Sequence, residues 1–238
     1  MPADPLLTIP LSQIDAAALP RDRSHLDPAA LAELQSSIAA HGLRQPIEVW
    51  RLPPAHPQPY GLISGLRRLT ATRNLARLRR DGSLTTIQAF LRTPQTLPQA
   101  LAAMVAENEI RADITPWEKG RLIMNAVQED IFPTPDAAVA GLYPHATPST
   151  RSRLRTVAGV VHDLTGILTD PTVYSLRQLL RIAAALKADF AEVIAVALRE
   201  CPDRSQPVQW DLLQNILSEA EHSLTEPQKP QAPGRPRR

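Results

Sequence analysis

The sequence predicts an α+β front half, a small mixed sheet with helices, followed by an all-α second half. Three observations carry this expectation. Short aliphatic runs bounded by prolines and glycines alternate with helical patterns up to about residue 91. From Leu97 onward only helical periodicity remains. The composition pairs 43% hydrophobic residues with only 4% aromatics, so the core is aliphatic, and its Ala, Leu and Arg content favours helices.

The elements follow in order. Leu7 to Ile14 reads as one short strand. Asp27 is a helix N-cap and Pro28 fits the first helical position. Leu31, Leu34 and Ile38 keep helical spacing, and Gly42 suits a left-handed stop. Pro46 to Leu52 is a strand, 53–59 a proline-rich turn, and Tyr60 to Ser64 a strand running into a helix from Leu66 to Arg80. Thr85 to Leu91 is a further strand. Leu97, Leu101, Met104 and Val105 mark a helix ending near Arg111. Thr115 and Glu118 form a capping box for the next. More helices are expected over Pro135 to Leu142, from Thr147-Pro148, from Ser175, from Asp189, and over Gln209 to His222. The expected domains are 1–95, then 96–205, then a short C-terminal helix over 206–224. The proline-rich basic tail, 225–238, is expected to be disordered.

Net charge is only +2, so the arginines matter by placement. Arg67, Arg68, Arg73, Arg77, Arg79 and Arg80 form one cluster; Arg151, Arg153 and Arg155 form another. Either could be a solvated face or an oxyanion site, since guanidinium binds phosphate bidentately. The single cysteine, Cys201, allows no internal disulfide. No Cys-x-x-Cys or zinc-protease pattern, signal peptide or membrane-length apolar run is present. A soluble, cytoplasmic protein is expected.

Three segments of the front half point to chemistry. The first is Gly42-Leu43-Arg44-Gln45-Pro46-Ile47, a helix stop feeding a strand. The second is Ser64-Gly65-Leu66-Arg67-Arg68, a strand-to-helix turn. Glycine there lets backbone approach a ligand, and the helix start offers free amides and a positive dipole end. Arginines in that first turn oppose the dipole unless an anion binds, so the turn reads as a phosphate cradle. A surface helix start with incidental arginines is the plainer alternative. The third runs from Glu107, Asn108 and Arg111 through Asp113 and Ile114 to Thr115, Pro116 and Glu118. Glu107 and Arg111 are i,i+4 neighbours and could form a solvated ion pair. Alternatively, Glu107 and Asn108 supply the hard oxygens that suit Mg²⁺.

Taken together, the three segments resemble the ParB/Noc/KorB group of partition and regulatory proteins. That group shows a Gly-x-x-Gln-Pro segment, a Gly-Glu-Arg-Arg segment opening a helix, and a Glu-Asn-x-x-Arg-x-Asp segment followed by Pro and Glu. The likeness runs over roughly residues 7–200 and implies a ParB/sulfiredoxin-like front domain that binds CTP with Mg²⁺. Gly42 and Gln45 would shape the cytosine pocket, Gly65, Arg67 and Arg68 would bind the triphosphate, and Glu107, Asn108 and Arg111 would hold Mg²⁺ and phosphates. CTP would close a clamp on DNA, and slow hydrolysis would reopen it. Leu66 departs from the group's usual Glu. Leucine cannot orient a water or accept a proton, so binding is expected with slow turnover or none. No cysteine lies between Gly65 and Arg68, which argues against the sulfinic-acid chemistry of sulfiredoxin.

In the second half, residues 136–161 have helix-turn-helix dimensions. Leu154, Val157, Ala158 and Val161 make the buried face of its second helix. Ser149, Thr150, Arg151, Arg153 and Arg155 are left outside to meet DNA, unless the element is a helical bundle with a basic edge. The favoured function is a partition-type DNA-binding homodimer on a palindromic site, working with a ParA-type ATPase. A KorB-like or Noc-like transcriptional regulator of a mobile element is the alternative. A ParB-fold nuclease or small-molecule kinase is the alternative of another class. A dedicated C-terminal dimerisation domain is expected to be truncated or absent, and a basic ATPase-stimulating leader is not evident.

Overall fold

The computed structural model describes residues 4–20, 27–79, 84–94, 96–110 and 114–225, with backbone alone at 108–110, 224 and 225. Arg80, Arg111, the side chain of Asn108 and the basic tail from 226 lie outside the described residues. The chain divides into two compact units. The first comprises 1–114 with 122–151, the second 115–121 with 152–238.

The first unit is built on five strands: β1 (Leu6–Pro10), β2 (Ile14–Asp15), β3 (Ile47–Arg51), β4 (Tyr60–Ser64) and β5 (Thr86–Arg92). Their order is β1-β5-β3-β4-β2. β5 pairs antiparallel with β1 and parallel with β3. β4 pairs antiparallel with β3 and parallel with β2. The single strand expected over Leu7 to Ile14 is therefore two strands at opposite edges of the sheet. Pro10, at φ −57°, starts a 3-10 turn over Leu11–Gln13 that carries the chain between them.

Alternation along the strands produces the core. Ile9, Ile47, Val49, Leu62, Ile87 and Ala89 are buried in one cluster. Helix α2 (Leu66–Leu78) adds Leu69 to that cluster. Helix α1 (Pro28–His41) packs on α2 through Ile38, Ala71 and Leu75. Asp27 caps α1, its carboxylate accepting from the amides of Ala29 and Ala30 at 3.0 and 3.4 Å. Helix α3 (Leu97–Ile110) packs on β4 and on α5 (Pro135–Leu142).

Helix α4 (Pro116–Gln128) opens with the expected capping box. The Glu118 carboxylate accepts from the Thr115 amide at 2.7 Å, and Thr115 Oγ1 accepts from the Glu118 amide at 3.3 Å. The second unit continues along α6 (Pro148–Leu164) into α7 (Leu176–Ala185), α8 (Ala191–Glu200) and α9 (Gln206–Thr225). Tyr174 is buried edge-on to Trp210, ring centroids 5.8 Å apart, and burial raises its hydroxyl pKa. Gln209, also buried, accepts from the Thr169 amide at 2.9 Å. Leu213, Ile216, Leu217 and Ala220 of α9 are buried, and α9 packs on α7 and α8. The helix expected to begin at Asp189 does not. Asp189 takes a left-handed φ of 64° and makes the kink between α7 and α8, so α8 starts at Ala191. A short polar side chain tolerates that conformation.

Gly61 lies beneath the Trp50 indole, whose N–H is buried with no partner among the described residues. A Cβ there would meet Trp50 Nε1 at 2.4 Å and Ala18 Cβ at 2.9 Å. Gly61→Ala is expected to lose about 1–3 kcal/mol of stability by overpacking. Gly159 lies in α6 with nothing within 4 Å of a Cβ. Gly159→Ala is expected to gain about 0.5–1 kcal/mol from helix propensity. Urea unfolding midpoints check both signs.

Candidate functional site

β4 ends at the buried Ser64 and hands the chain to α2 through one residue. Gly65 has φ 95° and ψ 31°, in the left-handed region. A Cβ on it would come within 2.7 Å of Ile47 Cγ2. Both the conformation and the close approach to β3 therefore require glycine. No side chain caps α2 and no acid stands in its first turn. A helix start without a side-chain cap or an acid presents the positive end of the helix dipole, an arrangement suited to an anion. Arg67 is exposed beside it. Leu66 packs against the sheet cluster, so its side chain belongs to the core rather than to the turn.

Arg68 joins the second segment to the first. Its Nη1 donates to the Gln45 carbonyl at 2.8 Å and to the Pro46 carbonyl. Gly42 ends α1 at φ 73°, its amide donating to the Ile38 carbonyl at 2.9 Å. The 42–47 loop is thereby pinned to the start of α2, with Gln45 engaged through its backbone.

The third segment reaches the same end of β3. Glu107 borders an open groove of about 550 Å³ with Glu48, Arg92, Thr93, Gln99 and Ala103. Glu48 pairs in register with Ser64, the residue before Gly65. Arg92 bonds both Glu48 and Asp4, and the Glu48 hydrogen bond is the main cause of its raised pKa. Asn108 is placed on α3 by its backbone, and Arg111 lies outside the described residues. Among the described residues no group of three or more His, Cys, Asp or Glu could hold a metal ion.

The arginines of α2 have divided roles that composition alone does not separate. Arg73 Nη2 donates to the carbonyls of Leu11 and Ile14, at 3.0 and 2.6 Å. It clasps the 3-10 turn between β1 and β2. Burial lowers its pKa, as does the nearby Arg77 to a lesser degree. Arg79 donates to the Ala39 carbonyl at 3.4 Å. The stripe Leu69, Thr72, Arg73 and Ala76 was the available signal, because it puts Arg73 on the inward face of α2.

At the start of α6, Thr147 Oγ1 accepts from the Thr150 amide at 3.2 Å and lies 2.9 Å from Thr150 Oγ1. Arg151 Nη2 turns back to the Pro144 carbonyl at 2.5 Å. It therefore braces the turn between α5 and α6, and it shares a helical stripe with the buried Leu154 and Ala158. Ser149, Thr150, Arg153 and Arg155 are exposed.

Comparison with known proteins places the front of the chain. The ParB N-terminal domain matches residues 2–109, covering the first two segments and reaching into the third. A probable chromosome-partitioning protein ParB of Pseudomonas putida is 36% identical over 107 residues, 45% of this chain and 33% of that protein. The match thus spans about a third of the curated relative's length. A Pnob8-like ParB-N domain structure superposes over 94% of this chain and 98% of its own, with TM-score 0.54 and 13% identity. That likeness is one of fold. C-terminally truncated ParB of Caulobacter crescentus, complexed to the centromeric parS site, covers 91% of this chain and 99% of its own at 17% identity. Its TM-score is 0.46. The front of the chain is ParB-like in sequence and fold. Among the described residues no helix is long and apolar enough to cross a membrane.

The two kinds of arginine separate in a stability measurement. Arg73→Ala removes two charge-assisted bonds to backbone and is expected to cost about 2–3 kcal/mol. Arg67→Ala, at an exposed position, is expected to stay within about 0.5 kcal/mol. Thermal and urea unfolding of both variants check the contrast.

Proposed function

We propose that this chain, whose residues 2–109 match the ParB N-terminal domain, is a nucleotide-responsive DNA-binding protein of the partition type. The observation that carries the reading is the Gly65 turn. It joins an uncapped helix start, an exposed Arg67 and the Arg68 hook to Gln45 and Pro46. CTP is the proposed ligand, through the resemblance of the three segments. Gly65 and the amides after it would receive phosphate oxygens, with Arg67 beside them. Arg68 would hold the Gln45 loop over the base, next to Gly42. Glu107, Asn108 and Arg111 would complete the phosphate and Mg²⁺ side. Bound Mg²⁺ would neutralise phosphate charge.

Leu66 weighs against fast turnover. Its side chain packs on the sheet core, and it has no group to take a proton. The nucleotide then acts mainly as a conformational ligand. DNA would meet the exposed edge of α6, with α5 and α6 as the helix-turn-helix. Ser149, Thr150, Arg153 and Arg155 would touch the duplex, while Arg151 would set the turn that positions them. A second copy on a palindromic site and a ParA-type ATPase belong to the same reading by resemblance, as does a cytoplasmic location. The buried face of α9 is already packed within its own unit, so dimerisation would use another surface.

Calorimetry with Mg²⁺ and each of CTP, ATP, GTP and UTP tests the nucleotide. CTP is expected to bind about tenfold or more tightly than the others, and Arg67→Ala to weaken it by a similar factor. Equal affinity for all four would refute the reading. For DNA, Arg153→Ala with Arg155→Ala should flatten the log–log salt dependence by about 0.9 for each phosphate no longer neutralised. Arg153→Ala alone, at an exposed position, should leave the unfolding temperature unchanged. Arg151→Ala should instead lower both DNA affinity and stability. Unchanged DNA affinity in both variants would exclude α6 as the reader.

A further inference from the structure

Helix α7 carries more apolar surface than its packing uses. Leu179, Ile182 and Ala183 are buried on its inner face. A second strip, Leu176, Leu180 and Ala184, recurs at i, i+4 and i+8 and stays half-buried or exposed. This strip floors an open groove of about 560 Å³ within the second unit. Arginines rim it: Arg177 and Arg181 from α7 and Arg153 from α6. Glu221 of α9 is the one acid in the lining. It is held by Arg181 through two bonds of 2.7 and 3.2 Å, so Arg177 and Arg153 set the sign of the rim.

We propose that this groove receives an acidic amphipathic helix of a partner protein. An apolar floor about 12 Å long, from eight residues of helix rise, matches two turns of such a helix. The arginine rim selects carboxylates beside its apolar residues. Phosphodiester backbone would satisfy the rim but leave Leu176 and Leu180 uncovered, and a basic or neutral helix would face uncompensated guanidinium. Arg153 also belongs to the exposed edge of α6, so Arg177 is the residue that reports on the groove alone. The proposal does not depend on how the first unit binds nucleotide or on whether α6 reads DNA.

The test uses the full chain and two fluorescein-labelled synthetic helices. Both carry Leu at i, i+4 and i+8; one has Glu at the flanking positions, the other Lys. Fluorescence anisotropy at physiological salt is expected to favour the glutamate helix by about tenfold or more. Arg177→Glu should abolish or reverse that preference. Leu180→Ser should weaken the glutamate helix about tenfold. Ala184→Gln, at an exposed position, reads the same floor if Leu180→Ser impairs folding. Equal binding of the two helices, no binding of the glutamate helix, or a preference that survives Arg177→Glu would overturn the proposal. So would sedimentation showing a dimer that Arg177→Glu dissociates, since the occupant would then be a second copy. Loss of duplex DNA binding in Arg177→Glu, without any binding of the glutamate helix, would assign the groove to nucleic acid and overturn it too.

Discussion

Between Ser64 and Leu66 the chain passes from an inner strand of the sheet into a helix in one residue, and it does so pressed against a neighbouring strand. Gly65 takes φ 95°, and a Cβ there would lie 2.7 Å from Ile47 Cγ2. Those two constraints fix where α2 begins and how closely its first turn lies to β3. The rest of the first unit follows from that placement. Leu69 reaches the sheet core, Ala71 and Leu75 reach α1, and Arg68 reaches the loop before β3. The anion-suited helix start is a by-product of the same turn, because glycine supplies no capping side chain.

A second theme is the use of guanidinium inside the fold. Arg68, Arg73, Arg79 and Arg151 each donate to backbone carbonyls far along the chain or in a turn. Such carbonyls lie where strands begin or break and where helices end, and a backbone acceptor away from water needs a donor. A single guanidinium Nη carries two hydrogens and can serve two of them at once, as Arg73 Nη2 does for Leu11 and Ile14. An arginine-rich stretch is therefore a poor guide to a binding surface until its helical phase is considered.

Much of the fold was legible where chemistry is local. Asp27-Pro28, Thr115 with Glu118, the glycine stop at 42 and the glycine turn at 65 act through neighbouring backbone, and the structure places each as expected. The failures are non-local. Leu7 to Ile14 has the pattern of one strand, but its two ends pair at opposite edges of a sheet assembled from residues up to 92. A helix is expected from Asp189, yet that residue turns the chain between two helices in a left-handed conformation. The candidate site was legible as three segments because each carries its own turn chemistry. That Arg68 hooks Gln45 and Pro46 depends on strand order and could not be read from spacing.

The central claim is that the 65–68 turn is the anion-receiving end of a nucleotide site. Amide chemical shifts of the full chain during titration with CTP and Mg²⁺ test it most directly. The claim predicts that the amides of Leu66, Arg67 and Arg68 move most, with Gln45 following through the Arg68 hook. Saturating CTP that leaves those amides in place, or moves only residues far from this turn, would contradict it.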